Sequence, residues 1–294
     1  MSEQPKVSVL IPTYNYAHYL DEAIQSVLNQ TFSNFELIIV DDQSSDNTAS
    51  VVEKYLADSR VKFIVNTENL GLVGNFNKSL EYATGEYIKY LMADDKLDHK
   101  LLEKYVEILD TYPNVSLVTA GSSTFGGKEV NRQPVLTGLQ KGMTVIAACL
   151  KNGKGNWIGE PTVVMFRKSS LASQKFNPEY ICLVDLDMWL RLLRQGDCYI
   201  VTETLAYFRV HEEQASDRRK IRNWFDEYYF YRDIKKKNVY RVPLDEINID
   251  AVVKRKAKKC VKRTFYMLPE FYKKGNPALI MEAVKIGLVE HVIW

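Results

Sequence analysis

The sequence predicts an α/β fold: a mostly parallel central sheet flanked by helices, followed by a helical basic C-terminal extension. Three observations predict it. Apolar runs of strand length recur through the first half, segments with helical apolar spacing separate them, and each run stops abruptly in polar residues. Strands spaced by helices need crossover connections, which favour parallel pairing, and right-handed crossovers bring every strand's carboxyl end to one rim.

Taken in order, Val7–Ile11 reads as a strand stopped by Pro12, Tyr19–Asn29 as a helix and Glu36–Asp41 as a second strand. A helix from Asp46 to about Leu56, a strand at Val61–Val65 and a helix at Gly71–Tyr82 follow. The run from Tyr87 ends in Asp94-Asp95; Lys100–Thr111 is a further helix and Val115–Thr119 a further strand. With 294 residues and 46% hydrophobic content, the chain can bury a large core. A net charge of +2 argues against a nucleic-acid partner. Cys149, Cys182, Cys198 and Cys260 form neither a CxxC pair nor a ligand cluster, which points to a reduced, cytoplasmic setting. Val7 is reached without a charged-then-apolar leader, so no signal peptide is expected, and no apolar run is long enough to span a bilayer.

The predicted rim collects Pro12-Thr13-Tyr14-Asn15, Asp41-Asp42, Asn66 to Gly71 with Asn69, and Asp94-Asp95. Turn and cap chemistry accounts for many such residues, Asp46 and Thr48 among them. Asp41 and Asp42, however, follow an apolar strand before any turn is required, where a carboxylate can accept from a nucleobase edge or a ribose hydroxyl. Paired carboxylates such as Asp94 and Asp95 suit an oxygen-loving divalent cation that neutralises a diphosphate. The alternative is that one caps the helix near Lys100 and the other is merely solvated. Neither G-x-G-x-x-G nor G-x-x-x-x-G-K-[ST] is present.

Val7-Ser-Val-Leu-Ile-Pro-Thr-Tyr-Asn15, Ile38-Ile-Val-Asp-Asp-Gln-Ser-Ser-Asp46, Asn69-Leu-Gly71 and Ala93-Asp-Asp95 together resemble the nucleotide-sugar domain of family 2 glycosyltransferases. The resemblance covers roughly Lys6 to His211. It implies a GT-A fold and inverting transfer from a nucleoside diphosphate sugar, a UDP-sugar being the expected donor, to a glycan or lipid-linked acceptor. Pro12, Thr13, Tyr14, Asn15 and Asp41 match the nucleoside pocket, and Asp42, Asn69, Gly71 and Asp94 join them on the donor side. Asp94 and Asp95 match the site for Mg²⁺ or Mn²⁺. Many relatives have D-x-D-D here; this chain has Met92 at the first position, a soft thioether that suits neither ion and is expected to pack inside the strand.

The acceptor half carries Asn156 to Arg167, where Trp157 either stacks on a sugar or simply packs, and where Pro161 holds Glu160 extended as an acceptor contact. Leu183 to Arg194 resembles the family segment that supplies the base, with Val184 where relatives often have Glu. Asp187 directly precedes the helical run and reads as its N-cap, although it also counts among the acceptor-side residues; Asp185 lies one step outside and reads as the catalytic base. Tyr207–His211 is expected as an edge strand, and the resemblance brings His211 towards the metal, against the alternative of an ordinary surface histidine.

These segments define a domain over 1–215 (1–120 the nucleotide-sugar half, 121–215 the acceptor half) and an extension over 216–294. The extension is rich in Lys and Arg, notably between Lys254 and Arg263. Its basic face reads either as an attachment to an anionic membrane surface, which would place the protein peripherally at the inner face, or as a solvated face. A catalytically silent nucleotide-sugar-binding or scaffolding domain, which Met92 and Val184 leave open, is the alternative function. A nucleotidyltransferase would need a phosphate loop that is missing here.

Overall fold

A computed structural model describes residues 4–153, 156–211, 220–266 and 277–292. The chain divides into two compact units. The first comprises Met1–Val145, Asn156–Pro178 and Val184–Glu212; the second comprises Ile146–Gly155, Glu179–Leu183 and Glu213–Trp294. The boundary expected at 215/216 and the basic residues Arg218 and Arg219 lie outside the described residues. Unlike the sequence reading, the second unit also takes two earlier segments.

In the first unit the sheet begins with β1 (Val7–Thr13), α1 (Ala17–Leu28), β2 (Phe35–Asp41), α2 (Thr48–Glu53), β3 (Val61–Val65), α3 (Gly71–Tyr82) and β4 (Tyr87–Tyr90). Then come β5 (Lys96–Leu97), α4 (Leu101–Thr111), β6 (Val115–Phe125), β7 (Asn131–Arg132) and β8 (Gly138–Gln140). After α5 (Gly142–Leu150), whose residues from Ile146 on count with the second unit, follow β9 (Met165–Arg167), α6 (Val184–Leu193) and β10 (Asp197–Arg209) of the first. The sheet order is β3-β2-β1-β4-β9-β6-β10-β5, with β7 on β6 and β8 on β10. The first four strands are parallel, as expected. β9 then inserts antiparallel between β4 and β6.

Burial follows the predicted periodicities. Leu20, Ala23, Ile24 and Val27 form the buried stripe of α1, and β1 and β2 are buried along their whole length. Three expectations are corrected. Pro12 lies inside β1, opposite Val40, and does not stop it. The Leu10 carbonyl accepts from Leu91 N at 2.9 Å, so residues of that parity turn their backbone groups towards β4; Pro12 shares the parity but lies beyond β4's last residue, where no donor is required. Met92 likewise lies past the end of β4, partly exposed, in the turn closed by Asp95 N on the Met92 carbonyl at 3.0 Å. Tyr207 to Arg209 is not an edge: it ends a 13-residue strand that pairs with β6 on one side and the two-residue β5 on the other.

The second unit is built on α7 (Lys220–Lys237), α8 (Ile249–Tyr266) and α9 (Pro277–Val289). On α8, Val252, Val253, Ala257, Cys260 and Val261 face inwards. Its two borrowed segments are tied to the helices: Tyr180 Oη donates to Asp233 at 2.9 Å, Cys182 N donates to Asp226 at 2.9 Å, and a Cβ on Gly153 would stand 2.8 Å from Val252.

Gly85, just before β4, lets the chain pass close to the backbone of β1, since a Cβ there would lie 2.6 Å from Ser8 N. Its own N–H donates to Ser8 Oγ at 2.8 Å, and that hydroxyl donates on to buried Glu36 at 2.6 Å. Gly85→Ala is expected to destabilise the protein by about 2 kcal/mol through overpacking against backbone that cannot yield. A lower urea midpoint at unchanged slope is the measurement that checks it.

Candidate active site

The carboxyl ends of β1 and β2 are latched together. Asn15 adopts φ 56°, accepts from Ser45 N on Oδ1 at 2.8 Å and donates its own N–H to Ser44 Oγ at 2.8 Å. Asp41 accepts from Ser44 N at 3.2 Å, and burial, reinforced by the charges of Asp46 and Asp42, raises its pKa against the Ser44 hydrogen bonds. Beside it the Thr13 hydroxyl is buried without a partner and Tyr14 is exposed. This corner offers hydrogen-bonding groups to a nucleoside.

Asp42 does something else. Its carboxylate accepts from Asn66 Nδ2, Leu70 N and Gly71 N, each at 2.8 Å, and its carbonyl accepts from Asn69 Nδ2 at 2.9 Å. Gly71, with φ 70°, opens α3 in a left-handed conformation that suits glycine. Asp42, Asn69 and Gly71, expected on the donor side, thus frame the β3–α3 loop with their polar groups.

The second acidic pair splits in the same way. Asp94 Oδ2 stands 3.0 Å from His211 Nε2, while the other ring nitrogen of His211 is buried without a partner. Asp95 is buried; it accepts from Thr162 Oγ1 at 2.6 Å and from Arg209 N at 3.0 Å, and burial with the neighbouring Asp94 charge pushes its pKa well up. Arg209 Nε donates to the Asp94 carbonyl at 3.0 Å, and its guanidinium pairs with Glu22. Tyr16 and Tyr19, from the start of α1, pack against the His211 ring at 5.8 and 4.7 Å between centroids.

Among the described residues no group of three or more His, Cys, Asp or Glu side chains is arranged to hold a metal. Asp94 and His211 nevertheless fit two neighbouring positions of an octahedral ion: ligands at about 2.1 Å stand about 3 Å apart when cis. The remaining positions would fall to diphosphate oxygens and water. Asp95, expected as a third ligand, has both oxygens engaged and braces the turn instead.

On the acceptor side, α6 begins at Val184, so Asp185 and Asp187 both lie in its first turn. Asp187 is therefore not the N-cap; it is buried and pairs with Arg191, one turn on, at 2.6 Å. Asp185 is partly exposed, accepts from Leu186 N at 2.7 Å and Asn156 Nδ2 at 2.9 Å, and is pushed up to about 7 by burial and by the Glu160 charge. Glu160 is half-exposed and bound by Arg132 Nη1 of β7 at 2.7 Å; Trp157 is partly exposed beside it in sequence.

Sequence reasoning missed Thr162, Arg209, Asn156, Arg132 and Lys89. Only Lys89 left a signal, a lone cation inside an apolar strand. Its buried ammonium donates to the carbonyls of Tyr90 (2.7 Å), Pro161 (3.1 Å), Thr162 and Val164 (3.3 Å).

A family model described as Glycosyl transferase family 2 matches residues 8–175. The chain is 30% identical over 244 residues to the GalNAc(5)-diNAcBac-PP-undecaprenol beta-1,3-glucosyltransferase of Campylobacter jejuni, covering 79% of this chain and 74% of that one. In fold it is similar to S. aureus TarS 1-349 in complex with UDP-GlcNAc: TM-score 0.68 at 19% identity, over 95% of this chain and 79% of that one. It is similar too to the mannosyltransferase PcManGT from Pyrobaculum calidifontis in complex with GDP-Man and Mn2+: TM-score 0.64 at 18% identity, over 98% and 81%. These likenesses establish the GT-A architecture.

Because Asp187 is committed to Arg191, Asp187→Asn is expected to cost about 2–3 kcal/mol of stability, more than loss of a cap, and to leave turnover per folded molecule near normal. Thermal unfolding with specific activity corrected for folded fraction separates the two effects.

Proposed function

The chain belongs to glycosyl transferase family 2, and we propose that it moves a sugar, with inversion, from a UDP-sugar to a hydroxyl of a glycan or lipid-linked acceptor. The observation that carries the reading is Asp185, a partly exposed carboxylate whose pKa of about 7 lets it accept a proton near neutrality. Lipid-linked acceptance is supported by the name of the Campylobacter relative, and the donor class by the nucleotide sugars bound in the two structural neighbours.

In this reading Thr13, Tyr14, Asn15 and Asp41 hold the nucleoside, and the Asp42-framed loop keeps that corner in shape. Asp94 and His211 would hold Mg²⁺ or Mn²⁺, and a cation bound there would supply positive charge to offset the diphosphate leaving group. Asp95 and Arg209 keep Asp94 in place. Asp185 takes the proton of the acceptor hydroxyl as it attacks the sugar carbon opposite the leaving diphosphate. Trp157 and Glu160 supply the acceptor's first contacts.

Asp185→Asn is expected to lower turnover by about 10²- to 10⁴-fold with donor binding nearly unchanged. Since the base must be deprotonated to work, wild-type kcat/KM should fall as pH drops below about 7. Chelator should abolish transfer and Mn²⁺ or Mg²⁺ restore it, with Asp94→Ala inactive throughout. Full activity in chelator together with an active Asp94→Ala variant would remove the metal from the reaction.

The second unit is read as the membrane contact. On α8, Lys254, Lys258 and Lys262 recur every fourth residue on the exposed face, and no carboxylate partner for them is found among the described residues. Like charges at this spacing oppose the helix, so the stripe is better explained by an external polyanion. Arg255, Lys258, Lys259, Lys262, Arg263 and Tyr266 line a groove of about 410 Å³, and Met281 and Leu288 of α9 are exposed large apolar residues. Cations with exposed apolar side chains suit an anionic lipid surface, where each cation contributes about 1 kcal/mol. No helix among the described residues is long and apolar enough to cross a membrane.

Replacing Lys254, Lys258 and Lys262 with Gln is expected to weaken binding to phosphatidylglycerol vesicles and to flatten its salt dependence, while transfer to a soluble acceptor persists. Vesicle binding that ignores both salt and these substitutions would leave the stripe a solvated face.

A further inference from the structure

We propose that Asn156 is the positioning residue of the reaction, aiming the Asp185 carboxylate at the acceptor hydroxyl. This rests on Asp185 being the base.

The orientation of the Asn156 side chain is determined by its surroundings. Its Oδ1 accepts from Ile158 N at 3.1 Å and Gly159 N at 3.2 Å, so its Nδ2 must face the other way, where it donates to Asp185 Oδ2 and to the Gly159 carbonyl, both at 2.9 Å. The loop it closes is held rigidly. Trp189 Nε1 of α6 donates to the same Gly159 carbonyl at 2.9 Å, Thr119 Oγ1 of β6 donates to the Ile158 carbonyl, and Gly159 sits at φ 115°, where a Cβ would stand 2.2 Å from Val163. Helix α6 thus carries the base at one point and anchors the loop that aims it at another. With Oδ1 of Asp185 occupied by Leu186 N, the remaining lone-pair capacity of Oδ2 is left for a hydroxyl.

The charged surroundings of Asp185 are few. Glu160, from the same loop segment, opposes its ionisation, and Arg132 of β7 binds Glu160. On α6 itself Asp187 is committed to Arg191, and β6, which packs on α6, contains no titratable residue along Val115–Phe125. Asn156 therefore favours the charged carboxylate and Glu160 disfavours it. Val184 occupies the place where relatives often carry a second acid; Glu160 brings that charge from another segment.

The test uses the full-length protein. Asn156→Ser keeps a side-chain acceptor for the loop N–H groups but cannot reach Asp185; Asn156→Asp keeps the shape and replaces the donor with a like charge. The acid limb of kcat/KM should move to higher pH in Ser and further in Asp, and to lower pH in Glu160→Gln, with donor KM unchanged. At pH 7, kcat should fall about 10- to 100-fold in Asn156→Ser. Carbon-13 carboxyl titration of Asp185 should show the same order of midpoints without reference to activity. Midpoints unmoved in folded Asn156→Ser and Asn156→Asp protein, or losses matching only the folded fraction by circular dichroism, would overturn the proposal. Full activity in Asp185→Asn would instead refute the base assignment, and the carboxyl titration would still report on the Asn156 contact.

Discussion

Two buried ionisable groups of opposite type, both taken out of water, set the geometry on which the cleft depends. The ammonium of Lys89 is buried inside β4, and burial drives its pKa well down against the pull of the Asp95 carboxylate. Burial favours the uncharged form of each, and buried polar groups persist only where hydrogen bonds replace their lost hydration. Lys89 finds them in four carbonyls, three from the 161–164 segment, and Asp95 finds them in Thr162 and in the backbone of Arg209. Satisfying these two polar groups therefore binds the end of β4, the segment before β9 and the end of β10 into one frame. Asp94 and the loop that reaches Asp185 hang from that frame.

A division of labour repeats at two places. Asp94 and Asp95, and Asp185 and Asp187, each comprise one partly exposed acid and one buried acid, whereas Asp41 and Asp42 are both buried. Two residues along a helix turn by about 200°, which sets Asp185 and Asp187 on different faces of α6. The inward member braces a turn or pins the helix to itself through an arginine, and Asp42 organises a loop.

Much of this was legible in sequence. Periodicity located the parallel strands and their helices, with β3 and α3 at their observed limits; α3 buries the helical stripe Val73, Phe76 and Ser79. The acidic residues were legible as a set, and Asp185 as the one with the freer environment. Which acid of a pair faced inwards was not, because that choice is made by partners far along the chain: Thr162 for Asp95, His211 for Asp94, Asn156 for Asp185. Pro12 misled for a related reason, since proline's missing donor matters only where a neighbouring strand asks for one. The two segments taken by the second unit carried no compositional mark, as their ties are single hydrogen bonds and a glycine-sized gap.

The inward acids Asp42, Asp95 and Asp187 bear on how a related chain is to be read. They answer to folding alone, so a descendant that abandoned sugar transfer would still need them to keep its loops and turn in place. Asp94 and Asp185 are tied to His211 and Asn156, and on the proposed reading they answer to chemistry. A sequence that preserves acidic doublets is thus uninformative until the two members are told apart: survival of the inward one marks a shape maintained, and survival of the outward one marks an enzyme still at work.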